Sequence, residues 1–200
     1  MLISDVKEGK QVRITSGEIH VTSEERVIIS TVLGSCVSAC LYDPVSGIAG
    51  MNHFMLSNHR YSKKMPLCLT EAGRYGIYAM ELLINEMLKQ GAQRNRIVAK
   101  AFGGGSVIKP SGQCDNFLCV GEVNAKFIVE FLDTERIKLA AHDLGGDTGR
   151  IVHFHTRSFK ASVKKIVPSA CDEVAKREWH IWKRHVADQQ HEQTRIDIWE

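Results

Sequence analysis

The chain has 200 residues, 44% hydrophobic and 24% charged, with a net charge of +3. Those values suit one domain with room for an appendage, and they supply enough apolar side chains for a sizeable core. The small charge and the lack of a Lys/Arg stripe argue against nucleic acid as a partner, and no apolar run is long enough to insert in a membrane.

The opening "MLISDVKEGKQ" has no basic region followed by a long apolar stretch, so a cytoplasmic location is expected. The six cysteines would then stay reduced. "QVRITSGE" and "ERVIISTVL" read as strands by their Val, Ile and Thr content, with the polar "VTSEE" between them. "CVSACLY" alternates, placing Val37, Ala39 and Leu41 on one face and Cys36, Ser38 and Cys40 on the other. "DPVSG" is a turn by composition, and "IAGMNHFML" returns as a strand, so residues 36–56 form a hairpin.

A polar, basic loop, "SNHRYSKKM", leads to a helix from Thr70 to about Gln90. Its apolar stripe is Ile77, Met80, Ile84, Met87 and Leu88, with Thr70 as N-cap and Gly91 as the glycine past the C-terminus. "RIVAKAF" is a strand ending in "GGGS", and a second helix runs from about Glu122 to Glu135 with Val123, Phe127, Ile128 and Phe131 inward. "IKLAAHD", "RIVHFHT" and "ASVKKIV" supply three more strands. Hairpins outnumber crossovers, which predicts an α+β fold with helices packed on mainly antiparallel sheet. Pro168 ends this pattern, dividing a domain over 1–167 from a tail over 168–200. In the tail, Val174, Trp179, Trp182 and Val186 fall near a helical stripe that would cover the domain's own surface or dock a partner.

Chemistry concentrates in the hairpin. A turn centred on Pro44–Val45 sets Tyr42 opposite Gly47 and Cys36 opposite His53. Opposed side chains on an antiparallel pair have Cβ atoms about 4.5–5.5 Å apart, so thiol and imidazole could exchange a proton. An imidazolium there would favour the thiolate. Gly34 and Ser35, small residues at a tight turn, could offer backbone amides to an oxyanion. Ser30 and Thr31 are nearby candidates for a third group orienting the imidazole. The competing reading makes Cys36 a buried small hydrophobe beside an incidental histidine.

Other constellations are weaker. His142, His153 and His155 lack a paired C-x-x-C motif, and Asp143 and Asp147 lack EF-hand spacing, so no metal is expected. "FGGGS" with Lys109 departs from the phosphate-loop spacing, and its glycines fit a bend or close backbone approach beside a site.

"STVLGSCVSACLYDP", "GMNHFML", "KAFGGGSVI", "VGEVNAKFIVEFL" and "DLGGDTGRIVHFHTRSFKASVKKI" together resemble the CheD chemoreceptor glutamine deamidases over roughly residues 10–167. The resemblance implies a fold related to the cytotoxic necrotizing factor deamidase domains and a catalytic pair falling on Cys36 and His53. It implies a third hydroxyl shortly before the cysteine, at Ser30 by ungapped alignment, with Thr31 adjacent. The implied reaction converts receptor glutamine to glutamate through a cysteine thioester, without a metal or organic cofactor. The implied partners are the cytoplasmic helical domain of chemoreceptors and a CheC-type phosphatase. A non-catalytic chemotaxis adaptor is the rival reading, and a thiol protease or transglutaminase would share the dyad.

Overall fold

The computed structural model describes residues 9–56, 71–107, 120–166 and 173–181. The basic loop after the hairpin, the Thr70 cap and Lys109 lie outside them. Among the described residues, nine strands form two sheets. The four-stranded sheet has the order β1 (Lys10–Arg13), β3 (Val27–Leu33), β8 (Arg150–His155), β9 (Lys160–Lys165). The five-stranded sheet has the order β2 (Ile19–Thr22), β5 (Ala49–Asn52), β4 (Val37–Tyr42), β6 (Val98–Gly103), β7 (Lys138–Leu144). Only β1–β3 and β6–β7 pair in parallel among these neighbours, so the α+β expectation with mainly antiparallel sheet holds.

Two helices, α1 (Glu71–Lys89) and α2 (Val120–Thr134), pack on the five-stranded sheet. Central strand β4 explains the layering. Val37, Ala39 and Leu41 enter the helix-side core with Met80, Ile84, Phe127 and Ile128. Cys36 and Cys40 enter the core between the sheets with Ile29, Met51, Val152 and Phe154. A strand covered on both faces reads as nearly all buried, and period-two alternation decides which side chain meets which layer. At the end of α1, Ala92 N–H donates to Met87 O and Gly91 N–H to Leu88 O, both at 3.0 Å. That is a Schellman closure, with Gly91 at φ 107°.

Strand β2 occupies part of the stretch read as a polar separator. Four residues containing His and Thr carry little strand signal alone; their pairing with β5 supplies the missing order.

The hairpin register also differs from the expectation. Tyr42 pairs with Ala49 and Cys40 with Met51, while an isolated bridge joins Val37 to Phe54. His53 is therefore not directly opposite Cys36. The loop is wider than a simple Pro-Val turn: Asp43 N–H donates to Ile48 O (2.9 Å) and Gly47 N–H to Asp43 O (3.0 Å). The centre moves to Val45–Ser46, shifting every pair by two. A two-residue shift preserves the face, so His53 remains on the Cys36 side as a diagonal neighbour.

Asp43 holds that loop in place. Its fully buried carboxylate accepts from the Arg96 guanidinium at 2.8–3.1 Å and from the amides of Val45 (2.9 Å) and Gln93 (3.0 Å). Burial pushes its pKa up, but these donors outweigh it and hold the carboxyl well below the usual carboxylate range. Asp43→Ala should lower the unfolding free energy by about 3 kcal/mol, because it strands Arg96 and two amides. Urea denaturation checks this. Because the folded pKa is depressed, the contribution is complete at neutral pH and begins to fade as pH falls below about 3.9.

Candidate active site

Strand β3 presents Val27, Ile29, Thr31 and Leu33 to the layer between the sheets. Thr31 thereby faces His53, which follows β5 on the opposing sheet. Thr31 Oγ1 lies 2.8 Å from Ile14 O and 2.7 Å from His53 Nδ1. The hydroxyl has one proton, and Ile14 O can only accept it. The imidazole must then donate from Nδ1 to Thr31, which leaves the Nε2 lone pair free. His53 Nε2 is buried and has no hydrogen-bond partner among the described residues. Ser30, one residue earlier, points to the other face, with Oγ 3.4 Å from Val12 O. The structure thus brings Thr31, and not Ser30, to the histidine.

His53 is held from behind as well. Neighbouring Phe54 points into the helix layer, where its ring meets Phe127 edge-on at 5.8 Å between centroids. Cys36 stands at the entry to β4 and is completely buried. It shares with Thr31 and His53 a cavity of about 290 Å³, whose walls also include Ile14, Ser16 and Val32.

Gly34, Ser35 and Cys36 turn sharply, and neighbouring elements satisfy their carbonyls. Gly105 N–H donates to Gly34 O and Gly104 N–H to Cys36 O, both at 2.7 Å. Asn124 of α2 donates to Ser35 O at 2.8 Å and accepts from Leu56 N–H at 2.8 Å. The "GGGS" glycines accordingly serve close backbone approach. A Cβ on Gly103, at φ 112°, would collide with Cys36 O. Buried Arg150 clamps this loop to the next, donating to the carbonyls of Gly103, Asp143 (2.9 Å) and Gly145 (2.6 Å).

The amides of the same turn converge on one carboxylate, from the helical segment over residues 173–181. Glu178 accepts from Gly34 N–H (2.7 Å), Ser35 N–H (2.6 Å), Ser35 Oγ (2.7 Å) and, more weakly, Cys36 N–H (3.4 Å). This is an anion-binding nest beside the thiol. It places Gly34 and Ser35 where an oxyanion could be held.

Burial pushes the Cys36 thiol pKa well up, the Glu178 charge and hydrogen bond add to the rise, and the backbone amide and Ser16 hydroxyl oppose it. Burial also pulls His53 down to about 3, helped by the positive charge of Arg177. Thiol and imidazole are therefore both neutral here, not the thiolate–imidazolium pair expected from proximity alone. The cause is desolvation, which penalises both charged forms. Cys40, also buried, is pushed up by burial and packs between the sheets as a small side chain.

His153 and His155 lie on β8 and His142 on β7, in different sheets. Among the described residues, no three His, Cys, Asp or Glu side chains gather to hold a metal. Sequence reasoning missed Ser16, Asn124 and Glu178. Only Glu178 carried a signal: it shares a helical face with Val174, between apolar positions.

A thiol, an imidazole with a free nitrogen, a hydroxyl fixing its tautomer and converging amides are the parts of a cysteine-nucleophile acyl-transfer site. The family described as CheD chemotactic sensory transduction matches residues 55–165, a stretch that begins after both Cys36 and His53. A Geobacter sulfurreducens protein named "Probable chemoreceptor glutamine deamidase CheD 1" is 51% identical over 193 residues, 96% of each chain, so that alignment runs through both. Similarly named proteins from Bordetella avium and Sinorhizobium medicae are each 45% identical, covering 80% and 76% of this chain and 68% and 79% of theirs. Among solved structures, the Bacillus licheniformis hypothetical protein YfiH has a TM-score of 0.37 and 13% identity, covering 70% of this chain and 60% of that one. That likeness is too distant to carry an argument. The chain belongs to the CheD family.

Proposed function

We propose that this protein is a protein-glutamine deamidase acting on the cytoplasmic helical domain of chemoreceptors, with Cys36 as nucleophile and His53 as acid–base. The names of its relatives support the substrate, and the Thr31–His53 hydrogen bond carries the mechanism, because it leaves Nε2 free in the cavity that Cys36 lines.

As Cys36 Sγ attacks the glutamine amide carbon, His53 Nε2 takes the thiol proton. The amides of Gly34, Ser35 and Cys36 receive the developing oxyanion. The imidazolium then protonates the departing nitrogen, so ammonia leaves and a thioester remains. Water, deprotonated by His53, hydrolyses the thioester to glutamate and regenerates the thiol. Every step uses groups of this chain and water. The catalytic unit is assigned to residues 1–167, with 168–200 as an appendage, and the substrate implies a cytoplasmic location. A CheC-type partner comes from the resemblance alone, without residues to place it.

Incubation with a receptor cytoplasmic fragment, followed by peptide mass spectrometry, tests the reaction. Glutamine conversion should add about 1 Da at particular glutamines with one ammonia released for each. Binding without a mass change would establish the adaptor reading instead. Chain cleavage or amine incorporation would point to a protease or transglutaminase.

A further inference from the structure

Glu178 is unusual for a glutamate in a terminal tail. It is only 5% exposed. Its carboxylate is held by two backbone amides and a hydroxyl at 2.6–2.7 Å, and it forms no ion pair with a described cation. Buried carboxylates normally require a paired cation or a dedicated anion site. Here the anion site is the amide turn that ends at the nucleophile. Val174, Glu178 and Ile181 all line the cavity, and their spacing puts them on one helical face, four residues before and three after the glutamate.

Glutamate is also the product that deamidation of a glutamine would leave. We propose that residues 173–181 occupy the substrate cleft as a built-in product mimic, with Glu178 seated where the newly formed glutamate side chain would lie, so that the tail closes the site in cis. This rests on the deamidase reading and extends it to substrate selection. The segment shows a helix-borne side chain of glutamine length reaching the nest, with aliphatic neighbours four residues before and three after packing at the rim. A substrate helix that displaces the tail would present glutamine in that setting.

The seated tail also adds to the effect of burial on the resting chemistry. Glu178 contributes to the raised Cys36 pKa and Arg177 to the lowered His53 pKa, so the segment that blocks the cleft also helps keep both groups neutral. As an intramolecular ligand, the tail competes at an effective concentration set by its tether and lowers the apparent affinity of any substrate.

Two variants test this. Glu178→Ala should raise kcat/KM for a receptor fragment, and the rate at which iodoacetamide alkylates Cys36 in mapped peptides, by roughly tenfold or more, the factor expected when charge-assisted hydrogen bonds are lost from a bound ligand. Glu178→Gln places a substrate side chain in the nest. With one water consumed and one ammonia released, residue 178 should return to glutamate in the intact chain, and remain glutamine when Cys36→Ala is added.

Wild-type alkylation and turnover in Glu178→Ala would overturn the plug. A persistent glutamine at 178 in a variant that still deamidates receptor would overturn the product-like seating. If Glu178→Ala exposes Cys36 while no variant releases ammonia from receptor, the deamidase reading fails and the occluding tail stands.

Discussion

Cys36→Ala should reduce ammonia release from receptor fragments to the uncatalysed level, a loss of about a thousandfold or more, and His53→Ala should fall nearly as far. The two losses should not multiply in the double variant, because thiol and imidazole act in the same proton transfer. A neutral thiol needs its proton removed as it attacks, and the buried Nε2 is the base assigned to that step. Stability separates this result from unfolding. Cys36→Ala removes one sulfur from the inter-sheet core and should cost about 1–2 kcal/mol, leaving a cooperative transition in urea. A folded Cys36→Ala protein that still releases ammonia at the wild-type rate would remove the nucleophile assignment.

Thr31→Val is the second large effect and the more discriminating one. Valine nearly matches threonine in shape but cannot accept from His53 Nδ1–H. The imidazole then loses the group that fixes its tautomer and orientation, and turnover should drop about a hundredfold, the lower end for general acid–base contributions. Ser30→Ala should stay within about twofold, since that hydroxyl faces β1 and only approaches Val12 O at 3.4 Å. Because the defect lies in the acid–base group, Thr31→Val should lower kcat more than it raises KM. Equal losses in the two variants would dissolve the distinction between the hydroxyls.

Both experiments turn on features of unequal legibility in the sequence. The residue types of the pair could be read directly: Cys36 opens an alternating strand after Gly34-Ser35, and His53 lies on the returning arm of the same hairpin. The pairing register could not. It depended on whether Asp43 would widen the turn, and that depends on Arg96 and Gln93, some fifty residues further along the chain. The choice between Ser30 and Thr31 was equally closed. Each face of β3 carries one hydroxyl among aliphatic residues, Ser30 between Ile28 and Val32 and Thr31 between Ile29 and Leu33, so its composition does not tell which face meets β5. The contact between the sheets settles it through the period-two alternation.

The tail shows the same division more sharply. A stripe of Val174, Trp179, Trp182 and Val186 suggested an apolar face, whereas the described helix turns Glu178 inward and leaves Trp179 36% exposed. Hydropathy ranks glutamate as a surface residue, and nothing local announces an anion nest waiting for it. The nest exists only where Gly34–Cys36 turns with its amides pointing outward, because Gly104, Gly105 and Asn124 occupy the carbonyls behind.

By itself the sequence determined the element order, the α+β class, the family and the residue types able to carry acyl chemistry, because periodicity and short motifs are local properties. The tertiary structure alone decided which hydroxyl hydrogen-bonds His53, that burial disfavours the charged forms of thiol and imidazole, and that a tail carboxylate fills the amide nest beside Cys36. Those outcomes depend on desolvation and on contacts between segments up to 144 residues apart, which no local pattern encodes.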